Sequence, residues 1–425
     1  MLKHVSTLRN WVEPGTIWAG WIAWGVFALA AFVIGLSGKA NSVTTNYRAA
    51  SHAWLHTERM YFPGGDGWIY LPQSALLFAP MHALPERLGE GVWRCAWVML
   101  MAWAVWRLTR VLNSVGGVAP ALDDVGWLDR GRVRPDEREA MYAGIAPRVD
   151  LFFLVTLLTI RACFGSVQNG QTNMPLGAAI VLACVSALDR RWWWCVAWCV
   201  FGLMCKPVMI VPILLLTACW VRPLMGRMAL GLLIFAALPL VNWNSAYALR
   251  EYHAGVLKVF EAGAMREREF ANLGGLLADL QLKIPDVAMT VLRVVAAGGV
   301  LVICWLSARR DGLTRGALVT LALSAAYLMV MNPRTEGNSY SVLGPALAAW
   351  AALWLMRPAR RPGHTLIAWT LVVGCVLLGG AHLITGPVFA RGNDLSLRPL
   401  VALVFGGLLI WRVLADDVIR MKSET

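Results

Sequence analysis

The sequence predicts an all-α polytopic membrane protein, and three observations support this fold class. Of the 425 residues, 58% are hydrophobic and only 15% are charged, whereas soluble domains are closer to half apolar and a quarter charged. Apolar runs of about 20 residues, the length that a helix needs to cross a bilayer, follow one another along the chain. Basic residues are concentrated in alternate connections between these runs, as is typical of multi-pass proteins.

We predict about twelve transmembrane helices within one integral membrane domain, residues 1–425. The predicted spans are 17–36, 87–108, 150–164, 173–188, 192–205, 207–221, 227–242, 288–307, 316–331, 339–356, 364–386 and 396–415. Several spans are short, and 192–205 crosses only with the help of flanking residues or a locally thin bilayer. The first run is too long for a signal peptide and is expected to stay as an anchor.

Lys and Arg are most frequent in the connections on one side, which the positive-inside rule makes cytoplasmic. This side receives the N-terminus (1–16), the loop 109–149 and the tail 416–425. The first extracytoplasmic loop, 37–86, and the segment 243–287 lie on the other side. We therefore expect a protein of the plasma (inner) membrane with both termini cytoplasmic, whose net charge of +13 reflects topology and requires no nucleic acid. The nine cysteines lie in or beside apolar spans and are interpreted as small buried side chains.

The first extracytoplasmic loop is expected to carry the active site, because it concentrates His, Glu, Asp, Tyr and Trp among Gly and Pro residues. Its carboxylates Glu58 and Asp66 are the candidate catalytic groups, and Asp66 lies in a Gly-Gly-Asp-Gly sequence whose glycines let the backbone approach a ligand. An ordinary turn has the same composition. Residues 47–54 show the spacing of an amphipathic helix on the membrane surface, and residues 73–84 suggest a re-entrant or interfacial helix.

Three further connections on the same side carry candidate binding groups. The corner 165–173 contains Gln171 and Asn173, whose amides suit sugar hydroxyls or an ordinary polar turn. Arg161 precedes this corner within an apolar run, where a cation is expected to face a cavity or a phosphate. Lys206 is placed to contact a phosphate or to reach the lipid headgroups, and Arg334 suits bidentate phosphate binding.

The order of several short motifs resembles glycosyltransferase family 87. They are Tyr-x-Ala-Ala at 47–50, Tyr-Leu-Pro at 70–72, Gly-Gln-Thr-Asn at 170–173, Lys-Pro at 206–207, Asn-Leu at 272–273 and the Asn-Pro loop at 332–333. The resemblance implies a GT-C-like bundle, with interfacial helices in its first loop, that transfers a hexose such as mannose from a polyprenyl-phosphate-linked sugar donor. The implied partners are a polyprenyl-phosphate-linked sugar, a glycolipid or glycan acceptor and the bilayer. It implies no cofactor and no divalent metal.

One departure from the family pattern concerns the catalytic acid. Members of the family usually carry an Asp a few residues before the Tyr-x-Ala-Ala motif, whereas residues 41–46 here contain no acid. Either another carboxylate of the loop serves, with Asp66 preferred over Glu58, or the protein has changed or lost the reaction. Our hypothesis is that Asp66 acts as the general base. We expect Arg334, Lys206 and Arg161 near the phosphate, and Gln171, Asn173 and Tyr47 in the substrate pocket.

Two other classes of protein fit a twelve-helix topology. A transporter or lipid flippase often shows two related halves, and we find no convincing similarity between halves of this sequence. A membrane scaffold does not need so many polar groups in the loops of one face. An enzyme, specifically a polyprenyl-phosphate-sugar-dependent hexosyltransferase, is therefore the preferred interpretation.

Overall fold

The computed structural model describes residues 14–38, 42–62, 67–114, 150–263, 270–282, 284–356, 362–385 and 394–424. Within these ranges the chain forms sixteen α-helices and no β-strand, so the all-α prediction is confirmed. The helices are α1 (Pro14–Ser37), α2 (Thr44–Leu55), α3 (Pro72–His82), α4 (Glu86–Ser114), α5 (Leu151–Asn169), α6 (Asn173–Leu188), α7 (Trp192–Cys205), α8 (Ile210–Cys219), α9 (Val221–Ala237), α10 (Ser245–Gly263), α11 (Leu273–Asp279), α12 (Asp286–Arg310), α13 (Gly312–Met331), α14 (Gly344–Leu355), α15 (Pro362–Thr385) and α16 (Asp394–Glu424).

Twelve of the described segments are apolar helices, and each overlaps one of the twelve predicted spans. Seven are long and apolar enough to cross a bilayer unaided: Thr16–Ser37, Glu86–Asn113, Leu151–Asn169, Val221–Val241, Asp286–Arg310, Gly312–Met331 and Leu397–Ala415. Five are shorter: Asn173–Leu188, Trp192–Cys205, Pro207–Cys219, Gly344–Leu355 and Thr365–Gly380. This arrangement is that of a polytopic membrane protein.

The short helices α6 and α14 form the centre of the bundle together with the longer α13. Nearly every residue of these three helices is buried, because a helix that is apolar on all sides packs in the interior. Of the most apolar stretch of α13, 83% is buried, compared with 17% for α12 and 28% for α1. Helices α1 and α12 therefore form the outer surface.

The predicted helices of the first loop are present as α2 and α3, which pack against each other. We predicted that α2 lies on the membrane surface. In the structure its apolar side, with Tyr47, Ala50 and Trp54, is buried against protein, and its position relative to the membrane stays a prediction. The loop therefore has a small aromatic core of its own, separate from the core of the transmembrane bundle.

Five connections that are distant in sequence meet at one end of the bundle. Val43 N–H donates to the Asn169 carbonyl over 3.1 Å, which joins the start of α2 to the end of α5. The Thr172 hydroxyl donates to the Cys205 carbonyl over 3.2 Å, beside Lys206. Ala271 N–H donates to the Thr335 carbonyl over 2.6 Å. These contacts assemble the polar loops that the sequence placed on a common face.

Other predicted features are described only in part. Eight of the nine cysteines are buried, Cys95 is half-buried and all nine are free, as the sequence suggested. Most of the loop 109–149 lies outside the described residues, and α16 continues through residue 424, so the described part of the tail from 416 is helical.

Candidate functional site

The α5–α6 corner is shaped by Gly170. This residue has φ +65° and ends α5, with its N–H directed at the Val167 carbonyl over 3.2 Å. A Cβ at this position would lie 2.6 Å from Cγ2 of Thr44 at the start of α2. Glycine therefore meets two requirements, since it adopts the left-handed conformation without strain and allows the first loop to approach the corner closely.

Gln171 and Asn173, both predicted to bind sugar, lie in one hydrogen-bonded network with Glu336. Gln171 Nε2 donates to Glu336 Oε2 over 2.7 Å, and Asn338 Nδ2 donates to the same oxygen over 3.1 Å. Asn173 Nδ2 donates to Gln171 Oε1 over 2.6 Å and to Asn338 Oδ1 over 2.9 Å. We call these four residues, Gln171, Asn173, Glu336 and Asn338, the amide–carboxylate cluster.

Two of the predicted phosphate-binding cations act on this cluster. Burial of Glu336 raises the pKa of its carboxyl. Lys206, the amides of Gln171 and Asn338, and Arg334 together lower this pKa by more than burial raises it, so the net shift is downward. Two cations therefore favour the ionised form of the Glu336 carboxylate, and together they carry one more charge than it does.

Arg334 also has hydrogen-bonding capacity that the protein does not use. Its guanidinium lies over the Phe270 ring, 5.8 Å from the ring centroid. Its Nη1 atom is buried and has no hydrogen-bond partner among the residues that the structure describes. A buried donor without a partner is costly, so this nitrogen is the natural point for a ligand oxygen.

Tyr47 is buried rather than open to a cavity. Only 2% of the residue is exposed, and its ring stacks on Phe78 with centroids 4.2 Å apart. Its hydroxyl lies 3.1 Å from that of Tyr70, and burial raises its pKa well above the ordinary value. Tyr47 thus forms the aromatic core of the first loop, and its predicted substrate contact stays a prediction.

Glu90 is a carboxylate that the sequence prediction missed. It lies on α4 but reaches the start of α2, where Thr44 Oγ1 donates to its Oε1 over 2.6 Å. Its other oxygen pairs with Arg94 Nη1 at 2.8 Å, and Arg94 Nε donates to the Val167 carbonyl over 3.0 Å. A carboxylate therefore stands beside the acid-free segment 41–46. The i,i+4 spacing of Glu90 and Arg94 was the available signal.

Of the two predicted catalytic carboxylates, Glu58 is described and Asp66 is not. The side chain of Glu58 is 60% exposed, and its Oε2 lies 3.9 Å from His52 Nε2. It does not reach the amide–carboxylate cluster through any described contact. Asp66 falls in residues 63–66, outside the described part of the chain.

Helix α10 fixes the segment that leads to Asp66. Glu251, which is 2% exposed, accepts from Met60 N–H through Oε2 over 3.0 Å. Lys258 Nζ donates to the Phe62 carbonyl over 3.0 Å, and the Tyr61 hydroxyl donates to the Tyr70 carbonyl over 2.6 Å. Residues 60–62 are therefore anchored on one side by α10 and on the other by Tyr70, which precedes α3.

Arg161 lies away from the amide–carboxylate cluster. It is about 13 Å from Gly170 along α5, at 1.5 Å per residue, and its side chain is exposed at the surface of the protein chain. Its aliphatic part packs so closely on α15 that a Cβ at Gly379 would collide with it. The structure does not bring Arg161 to the other predicted phosphate ligands.

Comparison with known proteins identifies the family. The model of glycosyltransferase family 87 matches residues 68–333, more than half of the 425 residues. No curated protein and no solved structure gives a significant match. The matched range includes Glu90, Gln171, Asn173 and Lys206, and ends one residue before Arg334. The chain therefore belongs to glycosyltransferase family 87 and is a multi-pass membrane glycosyltransferase.

Proposed function

We propose that this glycosyltransferase moves a hexose, mannose in the first instance, from a polyprenyl-phosphate donor to a glycolipid or glycan acceptor. The reaction takes place on the extracytoplasmic face of the plasma (inner) membrane. Family membership supports glycosyl transfer, and the apolar helices support a donor that is itself dissolved in the bilayer. A transporter or flippase finds no support in the family match.

The unpaired Nη1 of Arg334 is the observation that carries this proposal. Departure of the lipid phosphate requires positive charge at the leaving oxygen, and fixed cations in a partly buried site stabilise that charge more strongly than water does. Arg334 and Lys206 both act on the Glu336 carboxylate, and their two positive charges exceed its single negative charge by one. A lipid phosphate bound there would use the free Nη1 and balance the second cation.

The amides of the cluster are suited to the sugar. Gln171, Asn173 and Asn338 hold one another in fixed orientations, so their remaining donors and acceptors are pre-oriented. A hydroxylated ring needs both kinds of group, and amide side chains supply both. The donor sugar would then lie next to the phosphate held by Arg334.

Asp66 remains our candidate for the general base. Glu336 already accepts two amide hydrogen bonds and its pKa is lowered, which makes it a weak base. Glu90 accepts from Thr44 and pairs with Arg94, and Glu58 faces His52 of α2. Asp66 follows a segment that α10 anchors through Glu251 and Lys258.

A transfer assay with purified full-length protein in lipid nanodiscs tests the donor class. We expect release of polyprenyl phosphate from polyprenyl-phosphate mannose, and no reaction with a nucleotide-linked mannose. Turnover with the nucleotide sugar, without release of lipid phosphate from any lipid-linked hexose, would contradict the proposal.

Replacement of the base separates the candidate carboxylates. Asp66→Asn should reduce turnover by about 100-fold or more while the lipid donor still binds. Full activity in this variant would remove Asp66 from the mechanism. Glu90→Gln would then be the informative variant, because Glu90 lies beside the segment that lacks the family acid.

A further inference from the structure

Three histidines gather on the side of α2 that faces away from the aromatic core of the first loop. His52 lies in the last turn of α2, His56 directly follows that helix and His82 is the last residue of α3. One ring nitrogen from each histidine lies within 4.8 Å of the others. His52 and His56 share a side because they are four residues apart, and the packing of α2 on α3 adds His82.

The spacing of the rings fits a shared metal ion. His52 Nδ1 and His82 Nε2 are 3.4 Å apart. Two nitrogens bound tetrahedrally to one zinc ion, at Zn–N distances near 2.05 Å, are about 3.3 Å apart. Two of the three ligand atoms therefore already have the separation that a tetrahedral site requires, and the third needs a shift of about 1.5 Å at most.

Neighbouring groups orient two of the rings in the manner of known metal sites. His56 Nδ1 lies 2.9 Å from the His52 carbonyl and donates to it, which leaves His56 Nε2 as the acceptor. His52 Nε2 faces Glu58 Oε2 at 3.9 Å, so a proton on Nε2 leaves Nδ1 open towards His82. A metal-bound histidine commonly donates its other N–H to a carbonyl or carboxylate, as His56 does to the His52 carbonyl; Glu58 makes a longer ion-pair contact with His52.

His82 has an incomplete set of hydrogen bonds. Its Nδ1 is buried and has no partner among the described residues. The nearby Arg48 donates to the carbonyls of Met81, His82 and Leu84, whereas Glu58 supplies negative charge to the cluster.

We propose that His52, His56 and His82 form a binding site for a divalent transition-metal ion, Zn²⁺ in the first instance, in which Glu58 orients the His52 ring. The imidazole set suits Zn²⁺ and other late divalent metals rather than Mg²⁺, which prefers oxygen ligands. A bound ion would tie the end of α2 to the end of α3. This gives Glu58 a positioning role in place of the catalytic role that we predicted, and it adds a metal that the sequence did not imply.

Metal titration of the full-length protein, purified with an affinity tag that contains no histidine, tests this site. We expect one Zn²⁺ per chain by calorimetry and elemental analysis, and no binding of Mg²⁺. Co²⁺ should give the intense visible absorption of a tetrahedral site. Glu58→Gln should weaken Zn²⁺ binding by about 10-fold or more, and His52→Gln or His82→Gln should weaken it further.

His253→Gln is the matched control, since His253 is an exposed histidine on α10 outside the cluster. It should leave Zn²⁺ affinity unchanged. The metal-free Tm of each variant shows whether the protein is folded, and a variant that unfolds is replaced by its Asn counterpart. Absence of Zn²⁺ binding, or equal affinity in His52→Gln, His82→Gln and His253→Gln, would overturn the site. Neither result depends on glycosyl transfer.

Discussion

The Gln171 amide nitrogen lies 2.7 Å from a carboxylate oxygen of Glu336, although 165 residues separate them in sequence. This contact joins the α5–α6 corner to the loop that follows α13. Because Lys206 and Arg334 act on the same carboxylate, it also links the predicted sugar-binding amides to the predicted phosphate-binding cations.

A second carboxylate at position 171 should break this cluster. Gln171→Glu replaces the amide that donates to Glu336 with a second carboxylate, so the hydrogen bond is lost and two like charges face each other. Loss of this hydrogen bond in a mostly buried site costs about 1–3 kcal/mol. We expect a lower Tm in thermal unfolding and weaker donor binding. Gln168→Glu, which adds the same charge at an exposed position of α5, should change neither. A Tm that falls equally in both variants would contradict the role of the contact.

Removal of the Arg334 guanidinium should weaken the donor complex specifically. A hydrogen bond to a charged group contributes about 1.5–3 kcal/mol, so Arg334→Ala should raise the KM for the lipid-linked sugar by roughly 10- to 150-fold. Arg309→Ala provides the control, because Arg309 lies at the opposite end of the α12–α13 hairpin. An unchanged KM in Arg334→Ala would exclude a phosphate contact at this nitrogen.

The loop segment before Asp66 should lose its position when its buried anchor is changed. Glu251→Gln keeps the shape of the side chain but removes the charge that strengthens the bond to Met60 N–H. We expect kcat to fall by about 10-fold with a smaller change in KM. His253→Gln, a change at an exposed position on the same helix, should leave kcat near the wild-type value. Equal kinetics for the two variants would show that α10 does not position this segment.

Glycine at the α5–α6 corner should be essential to stability. Gly170→Ala requires a strained positive φ and places Cβ 2.6 Å from Thr44 Cγ2, which together should cost about 1–3 kcal/mol. Gly226→Ala is the comparison, because its Cβ would meet no atom within 4 Å and alanine favours a helix. Differential scanning fluorimetry should show a lower Tm for the first variant only.

The ionised state of Glu336 predicts an acid-dependent loss of stability. Its folded pKa is lowered below the ordinary value of 4.5, so its contribution is complete above pH 4.5 and disappears as the pH falls through the folded pKa. The Tm of the wild type should therefore fall below pH 4.5 more steeply than that of Glu336→Gln. Parallel Tm profiles in that range would contradict the assignment.

The sequence by itself determined the helical, membrane-spanning character of the protein. Apolar composition and helix length are local properties, so the twelve apolar segments and the helices α2 and α3 were predictable from the residues. The polar corners were also recognisable, because amides and charges between apolar runs must face protein or water. Gln171 and Asn173 were found in this way.

Tertiary structure decided which of these groups act together. Glu90 reaches the acid-free start of α2 only because α4 packs beside it, and Glu336 meets Gln171 only because two distant corners adjoin. Arg161 was predicted to lie near the phosphate with Lys206 and Arg334, but it packs on α15. Tyr47 lies in the aromatic core of the first loop. The three histidines meet through the packing of α2 on α3. Contacts between distant segments depend on how helices pack, and local patterns of residues do not encode that packing directly.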